Sequence, residues 1–185
     1  MNWFDRKIQD FITSIRDDPK RNETKISVGD DPDNLTYWRW FVWPRNRFLN
    51  LYLHNFTHDD AHDLHDHRMI NISFILQGSY FEERFCWWPV SGLMLPPTSR
   101  RLRPQYSLTF RLPSTPHRVV LPRDAEGREI PSWSLFIGFP HWRNWGMWCP
   151  GKNGNSAFWR PHQEYVMTRD PLNKNYGRKG RGCDE

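Results

Sequence analysis

The sequence lacks two features that would assign it to other classes of protein. No apolar run reaches the roughly 18 residues that a membrane-spanning helix requires, so we expect no membrane partner. The three cysteines, Cys86, Cys149 and Cys183, show neither a CxxC pair nor a zinc-finger spacing. Their odd number and the absence of a recognisable signal peptide predict a protein of the reducing cytoplasm.

The composition is that of one folded domain with a large supply of aromatic residues. Of the 185 residues, 25% are charged and 16% are aromatic, including 11 tryptophans, which suit barrel interiors, interfaces and stacking surfaces. Much of the net charge of +5 lies in a glycine-rich C-terminal stretch without apolar periodicity. We therefore predict a single domain over residues 1–167 and a flexible, solvated tail over residues 168–185. The basic residues of this tail are Lys174, Arg178, Lys179 and Arg181.

Hydrophobic periodicity changes along the chain from helical to strand-like. Residues 3–16 place their apolar side chains on one stripe, which predicts an amphipathic N-terminal helix that covers an apolar surface. Residues 36–139 contain short aromatic and β-branched runs, which predict the strands of a barrel or sandwich. Residues 140–165 are predicted to be an irregular, tryptophan-rich cap over one end of the barrel. The predicted strands are residues 36–42, 48–56, 70–85 with a hairpin-like break at Gly78, 107–112, 118–121 and 133–139.

The histidines carry the chemical signal of the sequence. His65 and His67 are two residues apart, so on a strand they project from the same face and form a chelate for a transition metal. Asn71 follows His67 by four residues. A third histidine, His117, follows a proline-containing turn at a predicted strand start. The sequence therefore predicts a metal site built from histidines of two separate segments.

Strand alternation after these histidines predicts a polar face and an apolar face. Positions 71, 73, 75 and 77 share the face of His65 and His67 and carry Asn, Ser, Ile and Gln, a mixed lining suited to a pocket. Positions 70, 72, 74 and 76 are all large and apolar. Because both faces are expected to be buried, the N-terminal helix or a second subunit is predicted to cover the outer one.

Four residues stand at spacings that resemble the sequence motifs of the cupin superfamily, namely His65, His67, Gly78 and His117. The first cupin motif is HxH, three or four residues, Glu, six residues and Gly, which His65, His67 and Gly78 match. The second is a proline-containing turn that ends in a histidine, which His117 matches. The resemblance covers roughly residues 52–121. It implies an all-β fold, a cupin-type double-stranded β-helix or jelly-roll barrel, here with an N-terminal helix.

Two departures from the cupin pattern bear on the chemistry. Asn71 stands where cupins usually carry a glutamate ligand, and Ser114 stands where they carry a glycine. We therefore expect a three-histidine site with open coordination positions, as a catalytic metal requires. The run from His65 to Gly78 also resembles that of the thiol dioxygenases, which are cupins with three-histidine sites.

A wider resemblance links the chain to bacterial and phage cupins without an established function. Their pattern is roughly YLHxF, a paired Asp, LHDHPW, SLILxGGYxE and a late REWGFWCP stretch. This chain carries YLHNF from residue 52, Asp59 with Asp60, LHDH from residue 64, SFILQGSYFE from residue 73 and RNWGMWCP from residue 143. The match extends over about residues 52–165 and bears on the fold rather than on the reaction.

The resemblance implies a mononuclear metalloenzyme that acts on a small polar molecule. Non-haem Fe(II) with an oxygen-dependent reaction is favoured, with Mn, Ni or Zn as other metals. A non-redox isomerase, epimerase or lyase remains an alternative, as does a non-catalytic module that binds a small molecule or nucleic acid. Cupins commonly dimerise, so a homodimer is expected, whereas a nucleic-acid partner is not.

Residue types and positions suggest roles around the predicted metal. Metal ligands are His65, His67 and His117; catalytic candidates are Asn71, Glu82 and His54; substrate-binding candidates are Arg84, Arg111, Arg118 and Gln77. Glu82 and His54 are candidate acids or bases, and the arginines are candidates for pairing with an anionic substrate. Asp66 is expected to orient a neighbouring group, as partners of metal-bound histidines do.

Overall fold

The computed structural model describes residues 2–23, 25–28, 36–60, 64–85, 98–149, 157–165 and 183. The helices in these residues are α1 (Trp3–Arg16), α2 (Pro19–Glu23) and α3 (His162–Tyr165). The strands are β1 (Ile26–Val28), β2 (Tyr37–Phe41), β3 (Asn50–Phe56), β4 (Leu64–His65), β5 (Asn71–Gln77), β6 (Tyr80–Phe85), β7 (Thr98–Arg103), β8 (Leu108–Arg111), β9 (His117–Val120), β10 (Ser132–Gly138), β11 (Gly146–Cys149) and β12 (Phe158–Pro161).

The strands form two six-stranded sheets whose pairings are all antiparallel. The first sheet has the order β1-β2-β3-β10-β5-β8 and the second has the order β12-β11-β4-β9-β6-β7. The eight consecutive strands β3 to β10 thus form two interleaved four-stranded sheets, β3-β10-β5-β8 and β4-β9-β6-β7. This is the topology of a jelly roll, the architecture that cupins share. The all-β fold with an N-terminal helix is confirmed.

Helix α1 begins and packs as its sequence predicts. The Asn2 side chain accepts a hydrogen bond from the Asp5 backbone amide, and the Asp5 carboxylate accepts one from the Asn2 amide, which makes a capping box. On its apolar stripe, Ile12 and Ile15 are buried against the first sheet. There they form a cluster with Leu76 of β5 and with Trp40 and Leu53. The helix therefore covers the part of the predicted apolar outer face that carries Phe74 and Leu76.

The chain changes sheets at two places where the sequence predicts continuity. The histidine segment lies in β4 of the second sheet, whereas Asn71 begins β5 of the first. Strand alternation therefore does not run from His67 to Asn71, although Asn71 and Ser73 are buried as predicted. The predicted hairpin at Gly78 is likewise wrong, because β5 and β6 belong to different sheets. Gly78 makes this crossing with a φ of +77°, and a Cβ there would lie 2.8 Å from the Pro131 carbonyl oxygen.

The tryptophan-rich segment after β10 is more regular than predicted. Strand β11 pairs with β12 and with β4, so this segment extends the second sheet at the edge that carries His65. The prediction of an irregular cap is wrong for these residues. Cys149 at the end of β11 forms a disulfide with Cys183, which differs from the reduced state expected in the cytoplasm. Cys86, His62 and the basic residues of the predicted tail lie outside the described residues.

Candidate metal centre

Backbone pairing between β4 and β9 brings the three predicted ligands together. His65 is the register partner of His117, so the two imidazoles leave neighbouring strands at the same level. His67 lies two residues beyond His65, where its amide donates a hydrogen bond to the Pro113 carbonyl oxygen. One ring nitrogen from each histidine lies within 4.8 Å of the corresponding nitrogens of the other two. Within the described part of the chain, this cluster has the composition of a metal site.

The spacing of the ring nitrogens fits a transition metal. Metal–nitrogen bonds of about 2.1 Å place two neighbouring ligand nitrogens roughly 3.0–3.4 Å apart at octahedral to tetrahedral angles. The Nε2 atoms of His67 and His117 are 3.3 Å apart. Neutral imidazole is a ligand that suits iron, zinc, nickel and copper. The donor set and its spacing therefore fit a divalent ion.

Neighbouring oxygens orient two of the three rings. The Nδ1 atom of His117 lies 3.1 Å from the Thr115 carbonyl oxygen, which accepts a hydrogen bond only from a protonated Nδ1. That tautomer leaves the lone pair on Nε2, the atom that faces His67. The Nδ1 atom of His65 lies 3.9 Å from the carboxylate of Asp60, whose other contact is the Val119 amide at 2.8 Å. Asp60, rather than Asp66, is therefore the carboxylate beside a predicted ligand.

Burial and positive charge keep two of the imidazoles, those of His67 and His117, in the form that binds metal. Burial lowers the pKa of His67 well below its ordinary value, and the charges of His65, Arg111 and Arg39 act in the same direction. Burial also lowers the pKa of His117, together with the charge of Arg111. A neutral imidazole has a lone pair to donate, so His67 and His117 do not need to lose protons near neutral pH before they bind a cation.

Asp66 connects the histidine segment to the C-terminal strands. Its side chain is fully buried and points away from the histidine cluster, because it alternates with His65 and His67. The carboxylate accepts hydrogen bonds from the Gly146 amide at 2.9 Å and from Arg143 at 2.7 Å. It also accepts hydrogen bonds from two indole N–H groups, those of Trp148 at 3.3 Å and Trp159 at 3.0 Å. The tryptophans of β11 and β12 thus hold the segment between the two ligands.

Close packing at Gly146 makes this connection specific to glycine. A Cβ at Gly146 would lie 2.0 Å from the Arg160 carbonyl oxygen, so no other residue fits without moving the backbone. The stretch RNWGMWCP carries three of the four partners of Asp66, namely Arg143, Gly146 and Trp148, but nothing in their spacing pairs them with Asp66.

Glu82 occupies an environment unlike that of an acid or base. The side chain is 1% exposed and accepts hydrogen bonds from Arg111 at 2.6 Å, from Arg103 at 2.9 Å and from Arg84 at 3.1 Å. Burial alone raises the pKa of Glu82, but the charges of Arg111 and Arg84 outweigh it and lower the pKa to about 2. A carboxylate held this way does not exchange protons near neutral pH, so the geometry assigns it a structural role in place of the predicted catalytic one.

Asn71 and Arg111 complete the same cluster. The guanidinium of Arg111 donates to Glu82, to the Asn71 side-chain oxygen at 3.3 Å and to the Tyr80 hydroxyl at 3.1 Å. All three of its nitrogens are therefore engaged by protein groups. Asn71 is fully buried, and its oxygen is directed at Arg111. Its predicted catalytic role stays a prediction.

The other predicted substrate-binding residues differ in how near they lie to the histidines. Arg84 is the register partner of His117 on the neighbouring strand β6, and it also pairs with Glu82. Arg118 alternates with His117, faces away from it and pairs with Glu83 at 2.6 Å. Gln77 is exposed at the far end of β5, six residues from Asn71, or roughly 20 Å along a strand. The positions of Arg118 and Gln77 differ from the predicted site, because sequence alternation gives the face of a residue but not its level in the sheet.

His54 lies inside the barrel, where the sequence alone could not place it. Its ring packs against those of Phe136 at 5.1 Å and Tyr52 at 5.9 Å, and its Nε2 accepts a hydrogen bond from Arg39 at 2.9 Å. Burial and the charge of Arg39 lower the pKa of His54 well below its ordinary value. The ring of Phe136 also contacts His67 at 5.8 Å, so one aromatic ring separates His54 from the metal cluster.

Two of the remaining described histidines have local partners. The Nδ1 atom of His58 lies 2.5 Å from a carboxylate oxygen of Glu129. His162 stacks on Trp145 with ring centroids 3.9 Å apart, and burial lowers its pKa to about 4. Trp145 in turn contacts His65 at 6.4 Å, which places this stack beside the histidine cluster.

No helix in the described residues is long and apolar enough to cross a membrane.

Comparison with known proteins gives likenesses of fold only. No protein-family model and no curated protein matches the sequence. The similar solved structures include Fe(II) HppE, at 13% identity and a TM-score of 0.46, with 62% of this chain and 55% of that chain covered. They also include hydroxypropylphosphonic acid epoxidase from S. wedmorenis, at 13% identity and a TM-score of 0.44, with 63% and 56% covered.

A third similar structure is the DMSP lyase DddQ from Ruegeria pomeroyi DSS-3, at 15% identity and a TM-score of 0.41. The match covers 71% of this chain and 54% of that one. The chain thus aligns with just over half the length of each of these proteins. Such likenesses assign neither a reaction nor a residue role to this chain.

Proposed function

We propose that His65, His67 and His117 bind one divalent metal ion and that the protein is a metalloenzyme acting on a small polar molecule. The observation that carries the proposal is that three ring nitrogens lie within 4.8 Å of one another. His65 and His117 stand on the paired strands β4 and β9, and His67 lies two residues after the end of β4. Rigid strands are a better support for His65 and His117 than loops, because they fix the ligand directions before the metal arrives.

The arrangement supports a catalytic rather than a structural metal. Three protein ligands leave coordination positions open, whereas structural sites are closed by a fourth. Asn71 stands where a fourth cupin ligand is expected, but its side-chain oxygen is directed at Arg111. A metal bound here would supply Lewis acidity or redox chemistry at those open positions. The chain's own part is to hold the imidazoles, through Thr115 and Asp60, and to surround the site with aromatic rings.

We propose Fe(II) as the metal and an oxygen-dependent reaction as the chemistry. Three neutral nitrogen ligands suit Fe(II), and also suit Mn, Ni or Zn in a non-redox reaction. The test is reconstitution of the metal-free protein with each ion in parallel, followed by oxygen uptake with small thiols and hydroxy acids. Oxygen uptake with Fe(II) alone is the expected result. Product formation without oxygen in the Mn, Ni or Zn forms would contradict it and identify a lyase or isomerase.

Two further expectations remain part of the proposal. The homodimer implied by the cupin resemblance predicts about twice the monomer mass in light scattering after gel filtration, and a monomer would contradict it.

A cytoplasmic location predicts that the protein folds and binds metal with all its thiols reduced. Because Cys149 and Cys183 are paired in the structure, loss of metal binding in dithiothreitol would favour an oxidising compartment instead.

A further inference from the structure

Arg39 places a positive charge between the two sheets. On β2 it alternates with Trp38 and Trp40, which pack toward helix α1 on the outer face. Arg39 therefore points into the barrel, where it is the register partner of His54 and its guanidinium lies 4.7 Å from the centre of the Tyr52 ring. Arg39 is half-buried, and removing part of the water around a charge is unfavourable unless the charge is paired.

The neighbours of Arg39 hold it in place without neutralising it. Its Nε donates to His54 at 2.9 Å and its Nη2 donates to the Tyr37 hydroxyl at 2.7 Å. Burial lowers the pKa of His54 and raises that of Tyr37, so both groups are uncharged near neutral pH. Across the described residues, Arg39 pairs with no carboxylate and its Nη1 has no hydrogen-bond partner.

The other arginines of the barrel interior form a contrast. Arg84, Arg103 and Arg111 all pair with Glu82, and Arg118 pairs with Glu83. The carboxylate nearest to the histidines is that of Asp60, which contacts His65 and the Val119 amide. Among these buried or half-buried arginines, Arg39 is the one without a carboxylate partner, although the single Glu82 carboxylate is shared by three guanidinium groups.

Arg39 is also close to the histidine cluster. The ring of Phe136 contacts both His54, the acceptor from Arg39, and His67. A molecule bound at the open positions of the proposed metal thus has a fixed cation within the same interior.

We propose that Arg39 binds the carboxylate of the substrate, and that the substrate of the proposed metal site is a small carboxylic acid. The inference rests on the proposed function and adds its substrate class. The free Nη1 donates to the carboxylate, while His54 and Tyr37 keep the guanidinium in position through its other nitrogens. A preorganised guanidinium binds carboxylate through short, charge-assisted hydrogen bonds, and an amide of the same shape offers no charge to pair with.

The test compares acids with their amides on the full chain, in metal-free and zinc-loaded forms. The probes are lactate with lactamide, glycolate with glycolamide, and 3-hydroxypropionate with 3-hydroxypropanamide, measured by titration calorimetry. At least one acid is expected to bind saturably and at least tenfold more tightly than its amide. The Arg39→Gln variant is expected to weaken that acid by roughly 10- to 100-fold and to leave the amide unchanged.

Two control variants separate a local contact from general charge. Arg6→Gln removes the same charge from the exposed outer side of helix α1, and acid binding is expected to be unchanged. Arg39→Lys keeps the charge but loses the planar fork, so intermediate affinity is expected. Circular dichroism and metal content show whether each variant folds. If Arg39→Gln does not fold, Arg39→Lys and the acid–amide comparison in the native protein decide the question.

The outcomes distinguish this inference from the proposed function. Acids that bind no better than amides, acid binding that survives Arg39→Gln, or no acid binding at all would each overturn the role of Arg39. Failure of the protein to hold metal would overturn the proposed function instead. Acid binding to the metal-free protein that depends on Arg39 would then still support the carboxylate site.

Discussion

The barrel interior contains two buried polar clusters that differ in how completely they are paired. In the first, the carboxylate of Glu82 accepts hydrogen bonds from three guanidinium groups, and each nitrogen of Arg111 donates to a protein group. In the second, His67 and His117 direct ring nitrogens at each other across 3.3 Å. The carboxylate of the first cluster is satisfied by protein cations, whereas the second cluster presents lone pairs that a cation would satisfy.

The difference in pairing distinguishes residues that stabilise the barrel from residues that are free to bind a ligand. A buried polar group without a partner costs free energy, so an incomplete cluster persists where a ligand completes it. Both clusters contain residues that the sequence marks as chemically interesting. The pairing pattern distinguishes them: Glu82 accepts hydrogen bonds from three guanidinium groups, whereas His67 and His117 direct ring nitrogens at each other.

The largest expected effect comes from removing the charge of Glu82. Glu82→Gln leaves three guanidinium groups in a buried site without their carboxylate, so we expect a loss of about 3–5 kcal/mol in the free energy of unfolding. Urea denaturation measures it. Glu126→Gln, at an exposed ion pair, is the control, with an expected loss of about 0–1 kcal/mol. Equal losses in the two variants would contradict a framework role for Glu82.

The acid stability of the protein is expected to depend on the same carboxylate. The pKa of Glu82 is lowered from 4.5 to about 2 in the folded protein, so the folded state favours the charged form. This contribution is fully present above pH 4.5 and is lost as the pH falls toward 2; it amounts to about 3 kcal/mol. The native protein should therefore lose more stability than Glu82→Gln between pH 5 and pH 2. Parallel curves would contradict the pKa shift.

Asp66 tests whether the C-terminal strands support the histidine cluster. Asp66→Asn turns an amide N–H toward four donors and removes the charge paired with Arg143, so we expect a loss of about 1–3 kcal/mol in unfolding free energy. Because Asp66 lies between two ligands, we also expect a 10- to 100-fold weaker metal affinity, measured by competition with a chelator. Asp10→Asn on the exposed side of helix α1 is the control. Unchanged metal affinity in Asp66→Asn would restrict Asp66 to a purely structural role.

The smallest expected effect concerns Asn71, at the boundary between the two clusters. Asn71→Ala leaves one nitrogen of the buried Arg111 without its acceptor, so we expect a loss of about 1 kcal/mol in unfolding free energy. The metal content should be unchanged, because the side-chain oxygen is directed at Arg111. Loss of metal in this variant would identify Asn71 as a fourth ligand and join the two clusters into one site.

Local patterns in the sequence were sufficient for the elements that depend on local forces. Helix α1 has the predicted bounds, because its apolar stripe and its cap lie within one short segment. Strands β2, β3, β8, β9 and β10 lie within one or two residues of the predicted ranges. The grouping of His65, His67 and His117 followed from motif spacing, which reflects how a jelly roll returns the chain to the same place.

Long-range pairing set the limits of prediction. Strand β7 is an arginine-rich edge strand, and its sequence does not alternate between apolar and polar residues. The sequence therefore does not predict it, although its Arg103 pairs with Glu82. Strands β11 and β12 are four residues each, which is too short for a clear strand pattern, so their aromatic content predicts an irregular cap instead. Arg39 carries no motif. Its position inside the barrel depends on the register of β2 with β3, which no local pattern specifies.

The most direct test of the account is the metal content of the purified protein after anaerobic reconstitution with Fe(II) and removal of the excess ion. Elemental analysis should find about one equivalent in the native protein and in His141→Ala, a histidine variant outside the cluster. We expect less than a tenth of an equivalent in His65→Ala and His117→Ala, with circular dichroism unchanged. Native protein without metal, or cluster variants that retain a full equivalent, would contradict the three-histidine centre.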